Sequence, residues 1–282
     1  MPDYRTIYRT DDGHLRVPFA SLGTFLKIEG AQVSVAEARA IENVATFVFS
    51  VGVMSRRLKE YIDAYREETL VDVPIHDLFL DAQSFFLFVQ QFLEDLALIV
   101  RMSLPHEQRH QMPAAFSHLI RRLCGRFLTA DAPLAQFLSA EQTWFDEIKD
   151  LRDDILHRTA FGRNRAATFP DLLTVLQAGA GQPRFVRGAD LRTYVGGVLV
   201  RIFALACLAD EFVRTTIAAR HPTARMPLRS GILLTPGEIN LSTNDIVARF
   251  GLGTPLVTMG FDSQSALEFF MEAGEARDTR SS

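Results

Sequence analysis

Cysteine is almost missing from this 282-residue chain, which holds only Cys124 and Cys207. Two thiols in apolar, helix-like surroundings supply neither a disulfide framework nor a zinc-ligand spacing, so a secreted disulfide scaffold is excluded and a reducing cytoplasm is the expected compartment. Lysine is equally scarce. Lys27, Lys59 and Lys149 apart, all of the 30 cationic residues are arginine, a bias that a GC-rich coding sequence would produce by itself. With 34 acids the net charge is −4, which gives no global case for a nucleic-acid partner; any such case has to be local. Long apolar runs are absent. The longest, Phe85 to Val89 and Ile202 to Ala209, fall far short of a bilayer span, and no apolar signal segment follows Met1 to Arg5, so a soluble protein with no membrane partner is expected. There is no internal repeat and no glycine-rich phosphate loop, because Gly251-Leu252-Gly253 lacks the strand and helix that such a loop joins.

What the chain does contain is a large apolar fraction, 48%, with 22 phenylalanines and a single tryptophan. That is ample for one large domain or two small ones, and it excludes general disorder. Apolar spacing is mostly helical. Ser34 with Glu37 forms a capping box that opens a helix to about Glu68, its buried side marked by Ile41, Val44, Ala45, Val48, Val51 and Leu58. Asp77 to Arg101 predicts a second long helix, apolar on nearly every side and therefore central, with a thin polar stripe that includes Gln90, Glu94 and Asp95. Phe116 to Leu128 and Asp131 to Leu138 follow, and Ser139 with Gln142 is the expected cap of the next helix. A last long helix, capped by Asp190, runs to about Arg220, with Tyr194, Val198, Ile202, Leu205 and Leu208 inward and Gly196-Gly197 admitting another helix at close range.

The expected architecture is an all-α helical bundle over residues 33–220, with residues 1–32 an N-terminal extension that turns at Asp12-Gly13 as a hairpin. Residues 221–282 read as a small mixed appendage: a strand near Ile232 to Leu234, short helices at Ser242 to Phe250 and Gln264 to Ala273, and a frayed end from Arg277. His106-Glu107-Gln108-Arg109-His110 matches the H-E-x-x-H pattern of zinc hydrolases, but Pro105 and Pro113 bracket it and its middle residues are polar. An exposed connection between helices fits it better than a metal helix, which is apolar around its ligands.

The chemistry-bearing stretch is Trp144 to Arg158. On its helical period Arg152 shares a face with Phe145, Ile148, Ile155 and Leu156, which puts a guanidinium inside an apolar sector, with Asp81, Glu94 or Asp95 as candidate partners. Asp153 and His157 stand four apart on a more polar edge, within reach of one another. The chain holds two other Arg-to-His pairs of similar spacing, Arg101 to His106 and Arg214 to His221. Pro105 interrupts the first, and the second runs off a helix end at His221-Pro222.

Arg152-Asp153-Asp154-Ile155-Leu156-His157 is thus an R-x4-H motif with an acid directly after the arginine, and it resembles the motif of the HEPN superfamily. That resemblance implies a helical bundle acting as a metal-independent endoribonuclease, a toxin or phage-defence effector. His157 would move the proton of a ribose 2′-hydroxyl, Arg152 would hold the scissile phosphate and Asp153 would orient His157. A homodimer, RNA as substrate, an antitoxin or regulatory protein as partner, and no cofactor or metal belong to the same expectation. Arg158, Arg163 and Arg165, with Arg121 and Arg122, are the candidate RNA-binding cations. The competing class is a non-catalytic helical interaction or nucleotide/RNA-binding module in a defence assembly. The chain departs from the family in length, and in carrying a long helix after the motif helix, where family members usually end.

Overall fold

The computed structural model describes residues 4–10, 13, 15–16, 18–19, 34–66, 75–113, 115–153, 191–220, 226–227, 233–234 and 261–280. They form an all-α bundle. In chain order its elements are α1 (Arg5–Tyr8), α2 (Val35–Arg66), α3 (Ile75–Ser103), α4 (His106–Arg109), α5 (Phe116–Arg126), α6 (Pro133–Ala140), α7 (Gln142–Asp153) and α8 (Leu191–Arg220). A two-residue antiparallel ladder of β1 (Met226–Pro227) and β2 (Leu233–Leu234) comes next, and α9 (Phe261–Arg280) is last.

α2 begins at its capping box. The Ser34 amide donates to Glu37 Oε2 at 2.8 Å and the Glu37 amide to Ser34 Oγ at 3.3 Å, so two amides that the first turn leaves unpaired are satisfied reciprocally. Its face of Ile41, Val44, Val48, Val51 and Leu58 is buried, as the spacing predicts. α3 is central. Phe85, Phe86, Val89, Phe92, Leu93, Leu96 and Val100 are buried on several sides at once, and the helix touches α2, α5, α7 and α8. Asn43 bonds Asp95 at 2.9 Å, Arg57 bonds Asp81 at 2.8 Å, and the rings of Phe47 and Phe92 lie 4.0 Å apart, which sets α2 and α3 antiparallel. The polar stripe of α3 is not all solvated: Asp81, Gln90 and Asp95 are buried, and each is bonded.

The four long helices close a ring in which α3 packs on α2, α2 on α9, α9 on α8 and α8 on α3. α9 corrects the sequence expectation. Within the segment read as an appendage, the helix does not stop at Ala273 or fray at Arg277: it runs from Phe261 to Arg280 and inserts Ala266, Leu267, Phe270 and Met271 into the common core. Each large apolar side chain buried there contributes about 1.5–3 kcal/mol, which is why the segment joins the bundle. Gly196 and Gly274 meet at the α8–α9 crossing, so the helix approach expected of Gly196-Gly197 occurs, and its partner is this last helix.

The N-terminal residues are integrated too. Tyr4, Tyr8, Leu15 and Phe19 are core residues. Of the expected hairpin the described residues show one bridge between Arg9 and Leu15 around Gly13, whose φ of 86° only glycine adopts readily, and a helical turn, α1, precedes it. Buried Arg9 ties this strap to α9 through Glu275 at 2.6 Å and Glu268 at 3.1 Å. Burial pulls its guanidinium down, but bonds and charge from Glu275 and Glu268 outweigh that and hold it above the ordinary arginine value.

Candidate functional site

The motif helix starts later than its expected cap. Ser139 lies exposed inside α6, and α7 opens at Gln142, its first turn closed by the Phe145 amide on the Glu141 carbonyl at 3.1 Å. Ser139 therefore belongs to the preceding helix, because Pro133 starts α6 early enough to include it. Glu141, at the junction, is buried and anchors three elements. Its carboxylate accepts from Tyr4 Oη at 2.8 Å and from Arg201 Nε at 2.8 Å, and the Arg201 guanidinium lies 6.0 Å from the centre of the Trp144 ring.

From there α7 packs on α3, with Phe145 and Ile148 buried. Phe145 stacks edge-on against Phe116 at 5.1 Å and Phe137 at 6.5 Å, while Tyr194 of α8 donates to Glu147 at 3.3 Å. Trp144, Phe145 and Ile148 are thus consumed within the chain. Those three side chains are therefore not free for contact with a second copy. Among the described residues the exposed large apolar side chains are Val35 and Phe49 on α2 and Leu80 and Phe88 on α3. The antiparallel register brings Phe49 level with Phe88.

Arg152 and Asp153 occupy the last described turn of α7, in the register that continues from Ile148. Their side chains, and His157, Arg158, Arg163 and Arg165 entirely, lie outside the described residues. The acids considered as partners of Arg152 have bonds elsewhere: Asp81 with Arg57, Asp95 with Asn43, and Glu94 with Gln90 at 2.9 Å and the Phe116 amide at 3.2 Å. Arg121 is on α5, its side chain outside the description. Arg122, on the same helix, is exposed and donates to the Gln111 carbonyl.

The remaining candidate chemistry sorts by environment. Burial pushes the Cys124 thiol up, and burial with the charge of Asp210 pushes Cys207 up further although part of its surface stays accessible, so neither is a ready thiolate nucleophile. The H-E-x-x-H segment is one exposed helical turn, α4, with the His106 and His110 rings edge to face at 4.7 Å. Among the described residues no group of three His, Cys, Asp or Glu side chains is arranged to hold a metal, and no helix is long and apolar enough to cross a membrane. Sequence reasoning missed His118, which faces the same groove as His110 and Arg122; its signal was the density of His and Arg around it. Comparison of the chain with protein-family models, with curated proteins and with solved structures gives no match.

Proposed function

We propose that this chain is a metal-independent endoribonuclease of the HEPN type, working as a homodimer. The observation that carries the reading is the position of Arg152 and Asp153 at the end of a helix locked to the centre of an all-α bundle by Phe145, Ile148 and the Glu141 junction. A motif fixed at its base in this way meets the demand for preorganisation that phosphoryl chemistry makes.

In the proposed reaction one His157 takes the proton of a ribose 2′-hydroxyl, and the freed oxygen attacks the adjacent phosphorus. The P–O5′ bond breaks and the leaving oxygen is protonated by the partner's His157, leaving a 2′,3′-cyclic phosphate. Arg152 offsets charge on the equatorial oxygens, Asp153 orients the imidazole one turn on, and Arg158, Arg163, Arg165, Arg121 and Arg122 supply phosphate contacts. One imidazole cannot make both proton transfers in one step, which is why two chains are needed.

A second reading, a non-catalytic interaction or RNA-binding module, is favoured by one observation: α8 and α9 continue the bundle beyond the motif helix. Two substitutions separate the readings. For the enzyme, His157→Ala removes cleavage, by about 10²–10⁴ in rate, with little change in melting temperature, and Arg152→Ala is inactive as well. Wild-type protein that cleaves no RNA, with a partner-binding defect confined to Arg152→Ala, would establish the module instead.

A further inference from the structure

Residues 101–126 carry five arginines, Arg101, Arg109, Arg121, Arg122 and Arg126, and three of the seven histidines, His106, His110 and His118, against a single acid, Glu107. In a chain of net charge −4 this is a local reversal of sign. Elsewhere in the bundle arginines face carboxylates: Arg9 meets Glu275, Arg57 meets Asp81, Arg201 meets Glu141 and Arg214 meets Asp210. Here three of them, Arg101, Arg109 and Arg122, are bonded to main chain. Arg101 Nε donates to the Arg109 carbonyl at 3.1 Å, Arg109 Nε to the Leu104 carbonyl at 2.9 Å, and the Arg122 guanidinium to the Gln111 carbonyl. Among the described residues none of these three arginines forms an ion pair with an acid. Their geometry is held while their charge is left uncompensated.

Between the turn that follows α4 and the outer face of α5 lies an open groove of about 510 Å³, lined by His110, Gln111, Met112, Pro113, His118 and Arg122. That volume is in the range of small-ligand sites. His118 and Arg122 stand four apart on α5 and so share its outer face. His110 also lines the groove, its ring edge to face with that of His106 at 4.7 Å. No acid among the described residues lines the groove: Glu107 is not among its lining residues, and Glu94 is taken up by Gln90 and the Phe116 amide.

We propose that this groove is an anion site that takes a backbone phosphate of single-stranded RNA, with Arg122 as its cation. A guanidinium oriented by a carbonyl keeps most of its five donors for a phosphate, two imidazoles of the same lining add N–H donors, and Pro113 offers an apolar surface to a sugar. That the phosphate belongs to RNA rests on the function proposed above; the anion chemistry does not.

The test is binding of a labelled single-stranded RNA oligonucleotide, followed by fluorescence anisotropy over a salt series, in a His157→Ala background so that the RNA stays intact. Arg122→Gln is expected to weaken binding about tenfold and to reduce the slope of log K against log salt by about 0.7, the value for one lost single-strand phosphate contact. Arg122→Lys should keep the slope. If Arg122→Gln loosens the turn, as a lowered melting temperature would reveal, the test passes to His110→Gln and His118→Gln. Their imidazoles hold no hydrogen bond within the described chain, and each should still weaken binding several-fold. Groove variants that bind with unchanged affinity and slope, or a parent protein that does not bind the oligonucleotide, would overturn the proposal. Loss of binding at the groove in a protein that never cleaves RNA supports the groove and removes the nuclease; normal binding by the groove variants of an active nuclease does the reverse.

Discussion

Exchanging one of two adjacent glycines for alanine should destabilise the bundle, and exchanging the other should not. A Cβ on Gly196 would sit 2.2 Å from the Phe270 carbonyl oxygen and 2.7 Å from the Gly274 nitrogen, both backbone atoms of α9. Ordinary contact begins near 3.4 Å, so α8 and α9 must part by roughly 1 Å, enough to forfeit about a quarter to a half of the dispersion attraction across their seam. Phe270, Met271, Leu267 and Val200 are all buried along it. Overpacking of this kind costs about 1–3 kcal/mol and more where backbone blocks backbone, while alanine returns about 1 kcal/mol of helix propensity. The net expectation for Gly196→Ala is a loss of about 1–3 kcal/mol, or roughly 3–8 °C in Tm by circular dichroism. A Cβ on Gly197 meets only the Arg201 Nη1 at 3.3 Å, the end of a flexible side chain, so Gly197→Ala should be neutral or stabilising by up to about 1 kcal/mol. Equal melting temperatures for the two variants would refute the α8–α9 crossing, and with it the place of α9 in the core.

Ser34→Ala, which removes one half of the reciprocal cap, should lower stability by about 1 kcal/mol in urea unfolding, with an unchanged m-value. Arg9→Ala leaves the mostly buried Glu275 carboxylate with, among the described residues, only the Tyr8 hydroxyl and the exposed Arg5 at 3.5 Å and should cost about 3 kcal/mol; a loss under about 0.5 kcal/mol in the same assay would show that the N-terminal strap is not docked. The Cys207 thiol is raised in the folded protein, so its contribution is intact below the ordinary thiol range near ~8.5 and is lost as pH climbs above it. Alkaline melts should therefore steepen above that range by up to about 1.4 kcal/mol per pH unit, less where solvent reaches the sulfur, and Cys207→Ala should remove the extra slope.

Local signals were legible in the sequence because their physics is local. The Ser34 and Glu37 box, the all-round apolar surface of α3 and the paired glycines of α8 each state a requirement within a few residues, and each is met. What the sequence hid is non-local. Arg9 pairs with Glu275 and Glu268 at the far end of the chain, and no periodicity announces such a contact. α9 passes through Gly274, a residue that usually ends helices, because there the missing side chain serves a helix crossing. At the candidate site the sequence placed Arg152 and Asp153 on a docked helix, and the described part of that helix, Gln142 to Asp153, is present; the rest lies outside the described residues. The buried Glu141 anchor beneath it was not foreseen, since its partners Tyr4 and Arg201 stand 137 and 60 residues away in sequence.

The proposed function stands or falls most directly on the ends of the RNA produced. Purified wild-type protein incubated with single-stranded RNA in EDTA should yield fragments bearing 2′,3′-cyclic phosphates by mass spectrometry, and His157→Ala at the same concentration and with the same melting temperature should yield none. Intact RNA from the wild type, fragments ending in 3′-hydroxyls, or equal cleavage by His157→Ala would contradict it.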